Sequence, residues 1–210
     1  MTFNIKEISS IIEAQDVCMA QSCDDKILFL CDIDNTVLRM PQYVGSDEWY
    51  RKQVDLIKQD APFTQGRVAV DLDHLKDLLD KLYESLEPIP LEGDHSKSVI
   101  HKILSIDNCE TYFVTARNPT AKSSTIRHLC STLELTCDQI SDRLILCGGR
   151  SKSESVVRCL PSYKHFNKII FVDDCFKNIS DMAMKLPLSK DQEMQLLYFP
   201  SKVNFHTADV

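Results

Sequence analysis

Ile27-Leu28-Phe29-Leu30-Cys31-Asp32-Ile33-Asp34-Asn35-Thr36-Val37 decides how this chain is read. An apolar run of strand length predicts a buried parallel strand, and two carboxylates, Asp32 and Asp34, follow at its carboxyl end. Side chains alternate along a strand, so on a straight one both carboxylates would face the same side. The carboxyl ends of parallel strands are where α/β sheets open their ligand crevice. A carboxylate pair there suits either of two tasks: holding a divalent cation, or dividing nucleophilic from proton-transfer work. Asp, Asn and Thr also make ordinary turns, so the remainder of the chain has to decide.

Before this strand, Ile5, Ile8, Ile11, Ile12, Ala14 and Val17 predict an amphipathic helix over 5–20. After it, Ser46 caps a helix with Asp47 and Glu48 in its first turn and Trp49, Tyr50, Val54 and Ile57 on its apolar side. A second helix is expected over 68–86, closed by Pro88 and Pro90, and a third over 95–104. The mainly helical stretch 39–105 is longer than a βαβ crossover needs and reads as a small cap inserted after the first strand, over the crevice. Further strands are expected at 111–115, 144–147, 169–172 and 196–199, with helices beginning near Asn118-Pro119, Ser151 and Phe176. The alternation predicts an α/β fold, a parallel sheet of about five strands wrapped by helices. The core would comprise residues 1–38 and 106–210 and the cap residues 39–105.

At 210 residues the chain can bury one good core plus an insertion. A formal net charge of −7 argues against non-specific nucleic-acid binding and against docking on anionic membranes, while leaving room for a locally positive pocket for a phosphorylated ligand. Nine cysteines, an odd number without a C-x-x-C pair, predict mostly free thiols in a reducing compartment. The first residues lack the basic and apolar regions of a signal peptide, and no apolar run approaches the roughly 20 residues that span a bilayer. A cytosolic setting is expected, and secretion into a host cell without a cleaved signal would leave no mark.

Polar residues stand at or just past four strand ends: Asp32 with Asp34, Thr115, Lys152 one loop later, and Asp173 with Asp174. In this order they resemble the four motifs of the haloacid dehalogenase (HAD) superfamily. Asp32-Ile33-Asp34-Asn35-Thr36 looks like motif I, D-x-D-x-T; Val114-Thr115-Ala116-Arg117 looks like motif II; Phe171-Val172-Asp173-Asp174 looks like motif IV. Lys152 is the candidate for motif III. The likeness covers most of the chain and implies a HAD-type doubly wound parallel sheet carrying a Mg²⁺-dependent phosphatase that works through an aspartyl-phosphate.

The same resemblance implies roles. Asp32 would attack phosphorus, and Asp34 would protonate the leaving oxygen and then deprotonate the attacking water. The Asp32 carboxylate, the Asp34 backbone carbonyl and Asp174 would hold Mg²⁺, with Asp173 orienting a coordinated water. Thr115, with Ala116 and Arg117, would bind phosphoryl oxygens, and Lys152 would neutralise charge on nucleophile and phosphate. The segment Val44-Gly45-Ser46-Asp47-Glu48-Trp49 is similar to a little-characterised HAD branch in bacteria that live inside host cells, some of whose members are injected effectors acting on phosphotyrosine. A phosphoprotein is therefore one implied substrate; a sugar phosphate or nucleotide is the other.

Each residue also has a plainer reading. Lys168 rivals Lys152, but directly precedes a strand, at the sheet end away from the crevice. Arg117 touches phosphate from a helix N-terminus or is simply solvated, and Asn178 braces the last acidic loop or lies at the surface. Trp49 and Tyr50 are expected to pack the cap, and the six histidines form no constellation. A phospho-accepting receiver-like domain would carry adjacent acids after its first strand and an acceptor Asp after its third. Here the early pair is spaced, the adjacent pair is late, and the third strand ends in Gly148-Gly149. A scaffold that has lost catalysis would be missing motif residues, and none is missing.

Overall fold

The computed structural model describes residues 2–200. Residue 1 and residues 201–210, which the expected core limits include, lie outside the described residues. The chain opens with β1 (Thr2–Glu7), α1 (Ile12–Met19) and β2 (Ile27–Cys31), the apolar run quoted above. An excursion follows: β3 (Leu38–Arg39), α2 (Asp47–Lys58), α3 (Leu72–Ser85) and β4 (Ile89–Pro90). Then come α4 (Asp94–Leu104), β5 (Cys109–Thr115), α5 (Lys122–Leu133), α6 (Cys137–Ile140) and β6 (Leu144–Leu146). The described chain closes with α7 (Lys152–Cys159), β7 (Lys168–Asp173), α8 (Phe176–Lys185) and β8 (Glu193–Tyr198).

Six strands form one sheet in the order β1-β8-β7-β2-β5-β6, parallel at every pairing. From β2 the chain steps outward through β5 to β6, then returns to the other side of β2 with β7. That reversal is a topological switch point, where the crevice of such a sheet opens. Every residue of β2 is buried. Its Ile27, Phe29 and Cys31 enter a layer with α1, α4 and α5, while Leu28 and Leu30 enter the opposite layer with α7 and α8. Cover on both faces is why this strand is an unbroken apolar run rather than an alternating one. Each such side chain contributes about 1.5–3 kcal/mol by leaving water.

Two expectations are corrected. The stretch 5–20 is not one helix: β1 joins the sheet edge beside β8, and α1 begins only at Ile12. The sheet accordingly has six strands rather than about five, and the cap follows the second strand. Phe3-Asn4-Ile5-Lys6 already alternates with a strand's period of two, but the helical spacing of the later isoleucines hid it. Second, α4, expected in the cap, lies in the core, with Val99, Ile100 and Ile103 buried in the layer that α1 and α5 share. The excursion is bounded instead by β3 and β4, which pair antiparallel (Leu38↔Pro90, Arg39↔Ile89) where the chain leaves and rejoins the core.

The cap is a helical hairpin closed on its own small core of Trp49, Ala69 and Leu75. Ser46 caps α2 by accepting the Trp49 N–H at 3.1 Å. Asp71 caps α3 by accepting the His74 N–H at 2.8 Å, so this helix starts later than expected. Gln53 pins the loop between them, donating to Gly66 O and accepting from Val68 N–H, each at 3.0 Å.

Candidate active site

The backbone leaves the sheet immediately after Asp32. The N–H groups of Thr36, Val37 and Leu38 converge on the Ile33 carbonyl at 3.3, 3.0 and 3.0 Å. Asn35 takes a φ of 59°, a left-handed conformation that Asn tolerates better than most residues. The strand breaks at Ile33, and the two carboxylates part. Asp32 stays beside β7, donating its N–H to Val172 O at 3.0 Å, whereas Asp34 turns toward Arg117 beyond the end of β5.

Asp32 belongs to a buried group with Asp173, Asp174 and Lys152. Ser151 opens α7 by accepting the Glu154 N–H at 3.3 Å, which places Lys152 in the first turn. The Lys152 ammonium contacts Asp32 Oδ1 and lies 2.6 Å from Asp173 Oδ2. Thr36 donates to the other Asp32 oxygen at 3.1 Å. Asp173 also accepts the Cys175 N–H at 2.8 Å, and the Asn178 amide reaches both its oxygens at 3.1 Å. Asp174 lines the cleft, 4.0 Å from Arg51 of the cap.

One oxygen from each of Asp32, Asp173 and Asp174 lies within 4.8 Å of the others, and all three residues are buried. Three carboxylates against the Lys152 ammonium, with the Arg51 guanidinium 4.0 Å from Asp174, leave negative charge unbalanced. Burial, with Asp173 and Asp174 adding to it, pushes Asp32 well above the carboxylate range against the pull of Lys152. Asp174 is pushed up to about 8, first by burial and then by Asp47 and Asp173. Burial opposes the charge on Lys152, but Asp173 and Asp32 outweigh it and hold the ammonium above its ordinary value. Hard oxygen donors short of positive charge fit a divalent metal ion. Lys168 stands at the far end of β7, paired with Glu193.

A second group surrounds Asp34. Arg117 grips its carboxylate through Nε at 2.9 Å and Nη2 at 2.6 Å, a bidentate pair. Nη1 of the same guanidinium donates to Thr125 Oγ1 at 3.3 Å and meets His128 Nδ1 at 3.1 Å. The Tyr83 ring, from the cap helix α3, covers the guanidinium at 4.1 Å. Thr115 Oγ1 donates to Asp34 at 3.4 Å and accepts the Arg117 N–H at 3.2 Å. Burial alone would raise the Asp34 pKa, but the Arg117 charge prevails and lowers it. Burial, then Arg117 and Arg127, lowers His128 to about 4, leaving a neutral imidazole that accepts from Arg117.

Between the two groups opens a cleft of about 290 Å³. Asp32, Asp34, Thr115, Lys152 and Asp174 line it from the core, and Tyr50, Arg51, Lys76 and Asp80 from the cap. Gly148 keeps the β6 loop close: its φ is 58°, and a Cβ there would stand 2.8 Å from Pro119 Cδ. Ala116 lines the cleft as well, and Asn178 braces Asp173. Trp49 packs inside the cap, whereas Tyr50 both packs there and faces the cleft. Arg117 also lines the cleft but is buried rather than solvated, and its guanidinium is paired with Asp34.

Sequence reasoning missed Arg51, Tyr83 and His128. Asp47 and Arg51 are spaced i, i+4 and lie 3.5 Å apart, a detectable pair. Tyr83 and His128 carry no local signal: the docking of α3 against α5 brings Tyr83 to Arg117, and the placement of α5 beside the end of β5 brings His128 there.

A parallel sheet with helices on both faces and an acidic cluster at its switch point define a doubly wound, Rossmann-like α/β fold. By sequence the chain belongs to the family described as "Protein of unknown function (DUF2608)", whose profile matches residues 1–144. That match includes Asp32, Asp34, Thr115 and the cap, and ends before Lys152, Asp173 and Asp174. No curated protein matches the chain. Among solved structures it is similar to the class C acid phosphatase from Bacillus anthracis, at 12% identity and a TM-score of 0.51, over 92% of this chain and 75% of that one. At that identity the likeness is one of fold. Among the described residues no helix is long and apolar enough to cross a membrane.

Proposed function

We propose that this chain is a Mg²⁺-dependent phosphomonoester phosphatase acting through an aspartyl-phosphate on Asp32. The observation that carries the reading is the separation of the two carboxylates at the switch point. Asp32 sits with Asp173, Asp174 and Lys152, while Asp34 is held apart on Arg117. Asp32 attacks phosphorus, and an Asp32–phosphorus bond forms as the bond to the leaving oxygen breaks. Asp34 hands a proton to that oxygen, then takes one from the water that attacks the phospho-enzyme and frees phosphate. Lys152 and the Thr115 hydroxyl stabilise charge on the transferring group. Bound by Asp32, Asp174 and the Asp34 backbone carbonyl, with Asp173 orienting a coordinated water, Mg²⁺ would neutralise the repulsion between carboxylate and phosphate dianion. Arg117, in this reading, positions Asp34 instead of binding phosphate.

The substrate we favour is a phosphoprotein, with phosphotyrosine as the reacting group. The bidentate Arg117 pair stabilises the carboxylate form of Asp34, and an aryl leaving group needs the least proton donation from it. The likeness of residues 44–49 to the effector branch points the same way. A sugar phosphate or nucleotide is the competing reading, favoured by Asp47 and Asp80 on the cap wall, which can accept from hydroxyl groups. The purified protein is expected to hydrolyse p-nitrophenyl phosphate with Mg²⁺, to stop in EDTA, and to be inactive as Asp32→Asn. Equal turnover in EDTA, or an active Asp32→Asn protein, contradicts the mechanism. A screen of phosphopeptides against phosphometabolites separates the two substrate classes.

A further inference from the structure

All nine cysteines carry free thiols. Two of them face each other outside the cleft. α5 ends at Leu133, and Glu134 takes a left-handed φ of 58° that reverses the chain. Thr136 then opens α6 with a complete capping box, its side chain accepting the Gln139 N–H while the Gln139 side chain accepts the Thr136 N–H. These two local devices lay Cys137, the first residue of α6, beside Cys130 near the end of α5, with the sulfurs 3.7 Å apart. Reaching a disulfide bond length of roughly 2.04 Å requires closing a further gap of about 1.7 Å, shared between two side chains. Cys137 is exposed and Cys130 half-buried. Cys18 and Cys109 also meet, but both are buried in the core, where a dissolved reagent does not reach them.

We propose that Cys130 and Cys137 form a dithiol site that reacts with low-molecular-weight disulfides and closes to an intramolecular disulfide. Exposure makes Cys137 the attacking group. Burial, and then the neighbouring Cys137, pushes the Cys130 thiol up to about 11, so it stays protonated while Cys137 makes the first attack; its place in the second step rests on its sulfur lying beside that of Cys137. The Cys137 thiolate attacks one sulfur of R–S–S–R, forming a mixed disulfide and releasing R–S⁻. Cys130 then loses its proton, and its sulfur attacks the Cys137 sulfur, releasing the second R–S⁻. Two protein thiols are oxidised, one R–S–S–R is reduced, and the two thiol protons end on two R–SH.

The site is independent of the proposed phosphatase reading and is tested without any activity assay. The folded full chain is treated with oxidised glutathione, free thiols are alkylated, and non-reduced peptides are analysed by mass spectrometry. The wild type is expected to yield a peptide pair joined through Cys130 and Cys137. Cys130→Ser is expected to trap glutathione on Cys137, and Cys137→Ser to lose the cross-link completely. Recovery of Cys130 and Cys137 as separately alkylated residues, or as two separate mixed disulfides, overturns the proposal. So does a Cys130→Ser protein that carries glutathione at Cys23 or Cys159 but not at Cys137.

Discussion

Replacing Arg117 with Met removes the guanidinium while keeping most of the side chain's reach. The Arg117 side chain is 1% exposed and its Asp34 partner 18%, so the substitution leaves a mostly buried carboxylate without its counter-charge. Breaking a buried pair from one side costs about 3–5 kcal/mol. The cleft-facing edge of Asp34 can take water, which places the expected loss near the lower bound, about 3 kcal/mol. For a chain of this length each kcal/mol moves the melting temperature by about 2–4 °C, so a drop of about 6–12 °C at neutral pH is expected. The loss must also depend on pH. In the wild type the Asp34 pKa lies below its usual 3.8, so the ion pair stabilises fully above that value and is lost as pH falls through the folded-state pKa. In the variant burial is opposed only by the smaller pulls of His128 and Lys152, the pKa rises, and ionised Asp34 destabilises the fold only above 3.8. The gap between the two proteins should therefore be widest at pH 7 and narrow below about pH 4, leaving only the Thr125, His128 and Tyr83 contacts. Thermal unfolding followed by circular dichroism across that range measures it. A drop of less than about 2 °C at pH 7, or a gap that ignores pH, refutes the reasoning.

Lys152→Met removes charge stabilisation at the nucleophile, and kcat for p-nitrophenyl phosphate should fall by about 10²–10³; steady-state kinetics with unchanged kcat would remove Lys152 from its role. His128 is neutral in the fold, with a pKa of about 4 against 6.5 when free, so its contribution is complete above pH 6.5 and lost as pH falls toward 4. Urea titrations should show the wild type losing about 2–3 kcal/mol over that window and His128→Asn losing much less. Asp174→Asn should weaken Mg²⁺ binding by more than about tenfold in calorimetry, a loss that even outer ligand partners produce.

Where a residue's fate is set by its nearest neighbours in sequence, the sequence was legible. β2 and β7 are unbroken apolar runs because both faces of the central sheet are covered, and each delivers its carboxylates at its own end. Lys152 could be preferred over Lys168 on the same ground, since one follows the end of a strand and the other stands at the start of one. Asp34 was only half legible. The spacing showed a second carboxylate, but the turn through Asn35 decides that it faces Arg117 and not the cluster of Asp32, Asp173 and Asp174. α4 shows why helical periodicity is insufficient: an apolar stripe says that a face is buried, not which body buries it. Tyr83 and Arg51 were illegible because their roles exist only once the cap has docked, and His128 because it meets Arg117 only through the placement of α5 beside the end of β5.

The central claim is that Asp32 carries the phosphoryl group, and the direct test is to trap it there. The protein would be mixed with Mg²⁺ and p-nitrophenyl phosphate, quenched in acid, reduced with borohydride and digested. Borohydride converts an aspartyl-phosphate to homoserine, so the account predicts homoserine at residue 32 in the peptide containing Asp32 and Asp34, and none in the Asp32→Asn protein. Homoserine at residue 34, or turnover with an unmodified Asp32, contradicts it.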